Sequence, residues 1–416
     1  MKRLLPVFLS VVLVFFCQAL VLNAGTPRTI EKTFAIGRGG TLELDLDAGG
    51  SLDISGWSKD EVAVTAVIGG KDAERVEVEF DDQQSHLKIY SFCKTKRNCR
   101  SGVRLTIKLP SKFGISMNSN GGAVKIDGIE GKMSGTTMGG ALELTRIKGE
   151  VNLKTMGGPI TVRDSEADGK VSTMGGDVLV QNVKGNLEGS TMGGKVSYKN
   201  VSRRSAEAGE VEETHVSTME GDIDLDTEGK NVKAKTYGGD IDVTKGKEVN
   251  LSTMGGDINV GEAPAGANVS TMGGDITIRS AGGYVKAKTM GGDVQIDAID
   301  GWVAATTMGG DVTATMIGDP RNGRRDVQLK SLGGDIHLIV PNGLSMRFEI
   351  DLAYTKGKEG RFDIESDFPM DIEKTTNWER KHGSQRKHIY GTGSIGGGEH
   401  LVKISTINGN IYIRKG

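Results

Sequence analysis

The segment Thr-Met-Gly-Gly-Asp-Ile at residues 253–258 recurs unchanged at residues 271–276. Related segments begin at Ser119, Thr137, Thr155, Thr173, Thr191, Thr218, Thr236, Thr253, Thr271, Thr289, Thr307 and Ser331. The 18-residue step from Thr253 to Thr271 holds almost throughout, and the two longest steps contain the polar insertions Arg203–Glu213 and Gly318–Arg325. A repeat at a fixed period of this size is the signature of a solenoid, so the insertions are predicted to be loops on single coils.

Each period alternates apolar and polar residues. The pattern is Asp-Ile-Asn-Val at residues 257–260 and Val-Lys-Ala-Lys-Thr at residues 285–289. Period-two alternation predicts strands with one buried face, and several glycines per period argue against helices. We therefore predict an all-β fold, a parallel β-solenoid (β-helix) with about 18 residues and two short strands per coil, stacked about 4.8 Å apart. Thr and Ile should point inward, and the Gly-Gly pair should form the corner.

Both flanks of the regular repeat are β-rich but less regular. Residues 25–118 include the degenerate repeat Gly-Gly-Ser-Leu-Asp-Ile at 49–54, and residues 341–416 include Thr-Ile-Asn-Gly-Asn-Ile at 406–411. Terminal repeats are expected to be atypical because an open sheet edge invites aggregation. The predicted organisation is thus a regular solenoid over 119–340 with an irregular β cap at each end.

The first residues predict export. Lys2 and Arg3 precede an apolar run, Leu4–Phe16, and small or polar residues follow it. This layout is typical of a signal peptide, predicted here over residues 1–24; the alternative is an uncleaved membrane anchor, for which the run is short. In an oxidising compartment, Cys93 and Cys99 are predicted to form a disulfide.

The composition excludes some classes of function. A net charge of −2 argues against a strongly basic nucleic-acid-binding protein. Aromatic residues make up only 5% of the chain, and it contains 62 glycines. No large globular core of bulky side chains can be built from such a chain, so small side chains must be buried regularly.

The sequence resembles the bacterial putative-adhesin family of β-strand-repeat proteins, whose domain has no assigned function. The resemblance rests on the Thr-x-Gly-Gly-Asp-Ile repeats, on residues 49–57 and on residues 406–411. It implies a β-helix-like fold and export, and it implies little chemistry, because the adhesin label of the family is itself largely an inference from shape.

For two columns of the repeat, the sequence leaves open whether the side chains point inward or outward. Nine repeats place Met after the Thr. The favoured interpretation is a stack of methionines buried at the corner, and the alternative is an exposed ribbon of adaptable contact surface. The other column is acidic and contains Asp177, Asp222, Asp240, Asp257, Asp275, Asp293, Asp311 and Asp335.

Stacked carboxylates need compensation from backbone N–H groups, lysines or cations. Capping of the turn by the backbone is the favoured interpretation for the column. The exception is a group of five carboxylates on two adjacent coils, for which weak Ca²⁺ binding is predicted. Its members are Asp222, Asp224, Asp226, Asp240 and Asp242.

No catalytic motif stands out. The six histidines are scattered without metal-ligand spacing, and no nucleophile elbow or phosphate-binding loop is present in the sequence. We therefore expect a non-catalytic surface or envelope scaffold without a cofactor, binding a glycan, a cell-surface polymer or a protein. The alternatives are a structural envelope protein that self-associates and a polysaccharide-acting β-helix enzyme.

Overall fold

The computed structural model describes residues 27–94, 100–202, 213–227, 230–381 and 384–416. These residues form an all-β fold, which confirms the predicted class, and their helical structure is one 3-10 turn at Ala73–Arg75. The strands of the N-terminal part are β1 (Arg28–Phe34), β2 (Gly40–Leu46), β3 (Leu52–Trp57), β4 (Val62–Gly70), β5 (Val76–Gln83), β6 (His86–Cys93), β7 (Ser101–Pro110) and β8 (Phe113–Ser119).

The repeat region follows with short strands. They are β9 (Val124–Asp127), β10 (Met133–Thr137), β11 (Leu142–Thr145), β12 (Lys148–Thr155), β13 (Ile160–Ser172), β14 (Val178–Lys184), β15 (Leu187–Ser190), β16 (Val196–Ser202), β17 (Glu213–Ser217), β18 (Ile223–Asp226), β19 (Asn231–Lys235), β20 (Ile241–Lys245), β21 (Glu248–Ser252), β22 (Ile258–Ala263), β23 (Gly266–Ser270), β24 (Ile276–Lys288), β25 (Val294–Thr306), β26 (Val312–Met316), β27 (Val327–Lys330) and β28 (Ile336–Val340). The C-terminal strands are β29 (Met346–Thr355), β30 (Ile364–Ser366), β31 (Asp371–Lys374), β32 (Glu379–Lys381), β33 (Ser384–Ile395), β34 (His400–Ile407) and β35 (Ile411–Lys415).

The repeat strands form two parallel stacks, one on each side of the Gly-Gly corner. In the stack that precedes the corner, Val285 lies opposite Ala267 on one side and Val303 on the other. In the stack that follows the corner, Ile276 lies between Ile258 and Val294. The strands β13, β24 and β25 run through the second turn and join the two stacks.

Irregular steps in the sequence are absorbed locally. The step from Thr236 to Thr253 is one residue shorter than the 18-residue period. It places Val232 of β19 opposite Val249 of β21, and a register shift in the other stack brings Asp226 opposite Lys245. The insertion 318–325 lies between β26 and β27, as predicted, and the ladder continues past it from Val303 to Val327. Arg325 anchors this loop because its buried guanidinium donates to Asp300 Oδ1 at 2.5 Å and to the Ile317 carbonyl at 2.6 Å.

Antiparallel strands flank the parallel stacks at both ends. At the N-terminal end, β7 pairs antiparallel with β4, β4 with β1, and β6 with β5. At the C-terminal end, β29 pairs antiparallel with β33, which in turn pairs with β31 and β32. The polar stretch from Thr375 to Arg386 looks irregular in sequence, yet Glu379–Lys381 form β32, and its last three residues begin the long strand β33, for which β29 supplies a ten-residue partner.

The core lies between the two stacks and consists of columns of small and branched apolar side chains. One column contains Ile258, Ile276, Val294, Val312 and Ile336, all buried. The Thr at each corner is also buried, as predicted. Its hydroxyl is satisfied locally: Thr271 Oγ1 donates to the Gly256 carbonyl of the previous coil at 2.9 Å and accepts from the Gly274 N–H at 3.3 Å.

The second turn of several coils uses residues other than glycine in the left-handed region. Arg146, Asp164, Asn182 and Asn200 occupy equivalent positions, with φ between 50° and 53°. Asn tolerates this conformation better than most residues. The Asn200 amide donates to Asn182 Oδ1 at 2.9 Å, and the Asn182 amide donates to Asp164 Oδ1 at 2.8 Å, so a side-chain ladder reinforces this turn.

Candidate binding surface

The methionine column is exposed on the outside of the corner, so the favoured prediction of a buried stack was wrong. We call this column the methionine ribbon; its members are Met138, Met156, Met174, Met192, Met219, Tyr237, Met254, Met272, Met290 and Met308. Apart from the half-buried Met156, they are between 38% and 59% exposed. The physical reason is that each Met directly follows a buried Thr, so the alternation of the strand points it outward, and the bend at Met-Gly-Gly turns the chain without bringing the Met side chain into the core.

The backbone holds the ribbon in register. The Gly273 N–H donates to the Met254 carbonyl at 3.1 Å, and the Gly291 N–H donates to the Met272 carbonyl at 3.0 Å. Adjacent ribbon residues are therefore one strand spacing apart, about 4.8 Å, and ten coils give a ribbon about 43 Å long. Contiguous exposed apolar side chains of this extent mark interaction surfaces.

Charged side chains border the ribbon. On the side that precedes the corner, Lys235 places its ammonium group 4.9 Å from the centroid of the Tyr237 ring. On the other side lies the exposed aspartate column. The corner therefore presents a cationic and hydroxyl border, an apolar strip and an acidic border.

The aspartates cap the turn of the next coil. Asp257 Oδ1 accepts from the Asp275 N–H at 2.8 Å, Asp275 Oδ1 accepts from the Asp293 N–H at 2.8 Å, and the pattern continues to Asp335, which accepts from the Asn410 N–H at 2.7 Å. Each carboxylate thus satisfies a backbone donor that the Gly-Gly turn exposes. This geometry agrees with the favoured interpretation of the column.

The five carboxylates of the predicted calcium site are spread over this ladder and the adjoining strand. Asp222 and Asp240 accept backbone N–H groups, at 3.0 Å and 2.8 Å. Asp224 lies opposite Asp242, and Asp226 lies opposite Lys245. Within the described part of the chain, no three His, Cys, Asp or Glu side chains are grouped as metal ligands. Calcium binding at Asp222, Asp224, Asp226, Asp240 and Asp242 stays a prediction.

The lysine beside this group is Lys195, which sequence reasoning missed. Its ammonium lies 2.6 Å from Asp224 Oδ2, and this hydrogen bond raises the pKa of Lys195. Lys195 occupies the aspartate position of its own repeat, so the strand register that brings β16 beside β18 creates the contact. The repeat alignment contains that signal, because a Lys in the acidic column faces the next coil.

The predicted disulfide also stays a prediction. Cys93 is the last residue of β6, and Cys99 lies outside the described residues.

A cavity near the C-terminal end of the ribbon was not predicted. Its volume is about 420 Å³, and its lining includes Lys330, Leu332, Asp351, Arg386, His388 and Ile407. His388 is buried, and its Nδ1 lies 2.6 Å from Asp351 Oδ1. Among the described residues, the buried His388 Nε2 and Arg386 Nε have no hydrogen-bond partner. The cavity offers unsatisfied polar atoms beside apolar walls, an arrangement suited to a small polar ligand.

Sequence signals for this cavity are weak. His388 and Arg386 lie outside the repeat, and only the antiparallel pairing of β33 with β29 brings His388 next to Asp351.

The predicted signal peptide, residues 1–24, lies outside the described residues. In the part of the chain that the structure describes, no helix is long and apolar enough to cross a membrane.

Residues 226–414 match the model of the family described as Toastrack DUF4097. The predicted resemblance to the putative-adhesin family, whose domain has no assigned function, is thereby confirmed. The 18-residue register also extends beyond the matched residues, back to the pairing of β8 with β10. A comparison with curated proteins finds no match.

Several solved structures resemble the chain at low identity. A putative cell adhesion protein from Clostridium sporogenes is 10% identical, with a TM-score of 0.19 and with 94% of this chain and 100% of that chain covered. A putative adhesin from Bacteroides fragilis is 15% identical, with a TM-score of 0.24 and coverage of 68% and 97%. A putative lipid binding protein from Parabacteroides distasonis is 11% identical, with a TM-score of 0.24 and coverage of 76% and 97%. At these TM-scores the likeness carries no conclusion about function.

Proposed function

Starting from the match of residues 226–414 to the Toastrack DUF4097 family, we propose that this protein is an exported, non-catalytic binding scaffold of the cell surface or envelope. Its framework is a solenoid of 18-residue coils, two short strands each, closed by irregular β caps. Its contact surface is the methionine ribbon, and its partner is a surface macromolecule with an apolar strip.

The exposure of the ribbon is the observation that carries this proposal. Large apolar side chains are exposed on consecutive coils, such as Met254, Met272 and Met290. Methionine side chains are flexible and polarizable, so they adapt to irregular partner surfaces. Full burial of one such side chain contributes roughly 1.5–3 kcal/mol, so a few contacts along the ribbon suffice for stable binding.

The absence of catalysis is part of the proposal. Asp222 and Asp240 belong to the five-carboxylate group that comes nearest to a catalytic cluster, and each accepts a backbone N–H from the next coil. A polysaccharide-acting β-helix enzyme would need acidic groups free to act on a sugar. We propose a turn-capping role for these residues.

Binding of the labelled mature chain to cells, isolated cell walls and glycans tests the function. The double variant Met254→Lys/Met290→Lys places two charges on the ribbon. The matched control, Asn259→Lys/Gln295→Lys, places the same charges on the same two coils, at exposed positions outside the ribbon. We expect the ribbon variant to lose about tenfold or more in affinity, equivalent to about 1.4 kcal/mol, and the control to bind like the wild type. Equal binding by both variants, or no retention of the wild type on any of these surfaces, would refute the proposal.

Self-association is the second candidate function, and the two borders of the ribbon favour it. Suppose that two copies of the chain lie parallel, with their ribbons facing each other across a twofold axis that runs along the solenoid. The cationic and hydroxyl border of one copy then meets the acidic border of the other. Lys235 and Lys288 would then lie level with Asp240 and Asp293 of the second copy. Sizing at increasing concentration separates the functions: concentration-dependent dimers that the ribbon variant abolishes favour self-association, and a monomer that retains a surface polymer favours the scaffold.

A further inference from the structure

The ribbon repeats one chemical group, the thioether. Nine of its ten members are methionine, although Leu or Ile would present the same apolar area. Packing does not require methionine there, because these side chains lie outside the core. Methionine differs from leucine in its unbranched, flexible chain and in its sulfur, and of these two properties only the sulfur can ligate a metal ion.

The backbone of the ribbon repeats at a spacing that suits a metal bridge between the sulfurs of adjacent coils. Successive exposures of 46% for Met254, 46% for Met272, 42% for Met290 and 48% for Met308 show that each side chain is covered by its neighbours to a similar extent. Side chains stacked in one conformation repeat every 4.8 Å or so. The zinc–thiolate bond of about 2.3 Å gives the scale of a metal–sulfur bond, and two such bonds in a line span about 4.6 Å. One ion with two collinear ligands therefore fits between the sulfurs of adjacent coils.

Thioether sulfur selects soft ions. Met and Cys sulfurs favour Cu(I), whereas carboxylates favour Mg²⁺, Ca²⁺ and Mn²⁺. The aspartate column beside the ribbon already accepts backbone N–H groups. We infer that the methionine ribbon binds soft monovalent metal ions, Cu(I) or Ag(I), each held by the thioethers of methionines on two adjacent coils.

Tyr237 divides the ribbon into two metal-binding segments. Met138 to Met219 lie on one side of it, and Met254 to Met308 lie on the other. The Lys235 ammonium over the Tyr237 ring adds positive charge at the break, which disfavours a cation there. The second segment has four methionines and holds two ions as two adjacent pairs, and the first, with five methionines, holds two ions as two pairs with one methionine left over.

Silver titration of the mature chain tests this inference without redox chemistry. The readouts are the stoichiometry of bound Ag(I) in chloride-free buffer and the NMR signals of ¹³C-methyl methionine. We expect about four ions per chain and shifts of the ribbon methyl signals, with Met117, Met133, Met316 and Met346 unmoved because they are buried. Bicinchoninate competition then measures Cu(I) at the same sites.

The variant Met254→Leu/Met272→Leu/Met290→Leu/Met308→Leu removes four sulfurs and keeps the apolar area. We expect it to bind about two fewer ions, whereas the control Met316→Leu/Met346→Leu, made at buried positions, binds as many as the wild type. Comparison of these variants cancels any contribution from Cys or His side chains. Equal stoichiometry in the ribbon variant and the wild type, or metal-induced shifts away from the ribbon, would overturn the inference. Because Leu preserves the apolar strip, partner binding through that strip survives in this variant, so the two proposals fail separately.

Discussion

The Gly-Gly corner makes a sharp prediction because its two glycines differ in what a side chain would meet. A Cβ on Gly274 would lie 2.2 Å from the Gly256 carbonyl oxygen and 2.5 Å from the Gly256 carbonyl carbon. Both atoms belong to the backbone of the previous coil, which cannot rotate away. The oxygen would have to move from 2.2 Å to an ordinary contact distance of 3.4 Å, so the two coils must separate at this point.

The energetic cost of Gly274→Ala follows from the displaced carbonyl. That carbonyl accepts the hydrogen bond from the buried Thr271 hydroxyl at 2.9 Å. Forcing atoms into a well-packed site costs about 1–3 kcal/mol, and leaving a buried hydroxyl without its acceptor costs about 1–3 kcal/mol more. We therefore expect the free energy of unfolding to fall by about 2–6 kcal/mol.

Gly273→Ala is the matched control. Its Cβ would lie 3.3 Å from the Gly255 carbonyl oxygen, a contact that a shift of a few tenths of an ångström relieves. Neither Gly273 nor Gly274 has a left-handed φ, so backbone strain affects neither substitution. Alanine also restricts the unfolded chain, which stabilises by about 0.4–1 kcal/mol. We expect the free energy of unfolding of this control to stay within about 1 kcal/mol of that of the wild type.

Denaturant unfolding of both variants, followed by circular dichroism, measures the difference. Solenoids open in segments, so hydrogen exchange should also show the loss of protection in the strands next to residue 274 first. If Gly274→Ala and Gly273→Ala unfold at the same denaturant concentration, the close approach of coils at the second glycine does not govern stability, and the reasoning is refuted.

Three further predictions concern the exposed and buried columns. Dilute peroxide should oxidise the exposed ribbon methionines, without unfolding, well before the buried Met117, Met133, Met316 and Met346; equal rates by peptide mass spectrometry would contradict the exposed ribbon. Burial raises the pKa of Tyr198, whose hydroxyl donates to the Leu187 carbonyl at 2.5 Å, so its contribution to stability is complete below pH about 10 and is lost as pH rises toward the folded-state pKa, by about 1.4 kcal/mol per pH unit. Tyr198→Phe should make that alkaline decline in the free energy of unfolding shallower, and Tyr237→Phe, at an exposed tyrosine, should not; an unchanged decline in Tyr198→Phe would show that other groups cause it. Millimolar calcium should raise the melting temperature of the wild type more than magnesium does, and Asp224→Asn/Asp242→Asn should remove that increment; no rise in the wild type would eliminate the calcium site.

Much of the fold follows from one period of the sequence. Alternation around Ile276 and Val285 predicts which side chains are buried, and the structure buries both. The role of Gly-Gly follows as well, although close approach at Gly274 and not a left-handed φ is what excludes a side chain. These features are predictable because each depends on contacts between identical coils.

The direction of the methionine column could not be predicted with the same certainty. Residues next to a corner escape simple alternation when the chain turns, and only the backbone path through Gly273 and Gly274 decides the direction. The His388–Asp351 contact was less predictable still, because it depends on an antiparallel pairing over 37 residues of sequence outside the repeat.

The identical register of successive coils makes the length of this molecule adjustable. Duplication or deletion of one 18-residue unit would change the rod by a single strand spacing, about 4.8 Å, and leave both ends as they are. The length of the solenoid can therefore change in steps of one coil. The loop anchored by Arg325 shows that a coil also accepts an insertion without loss of register. New side chains can therefore be added to one coil while the pairing of the neighbouring strands is unchanged.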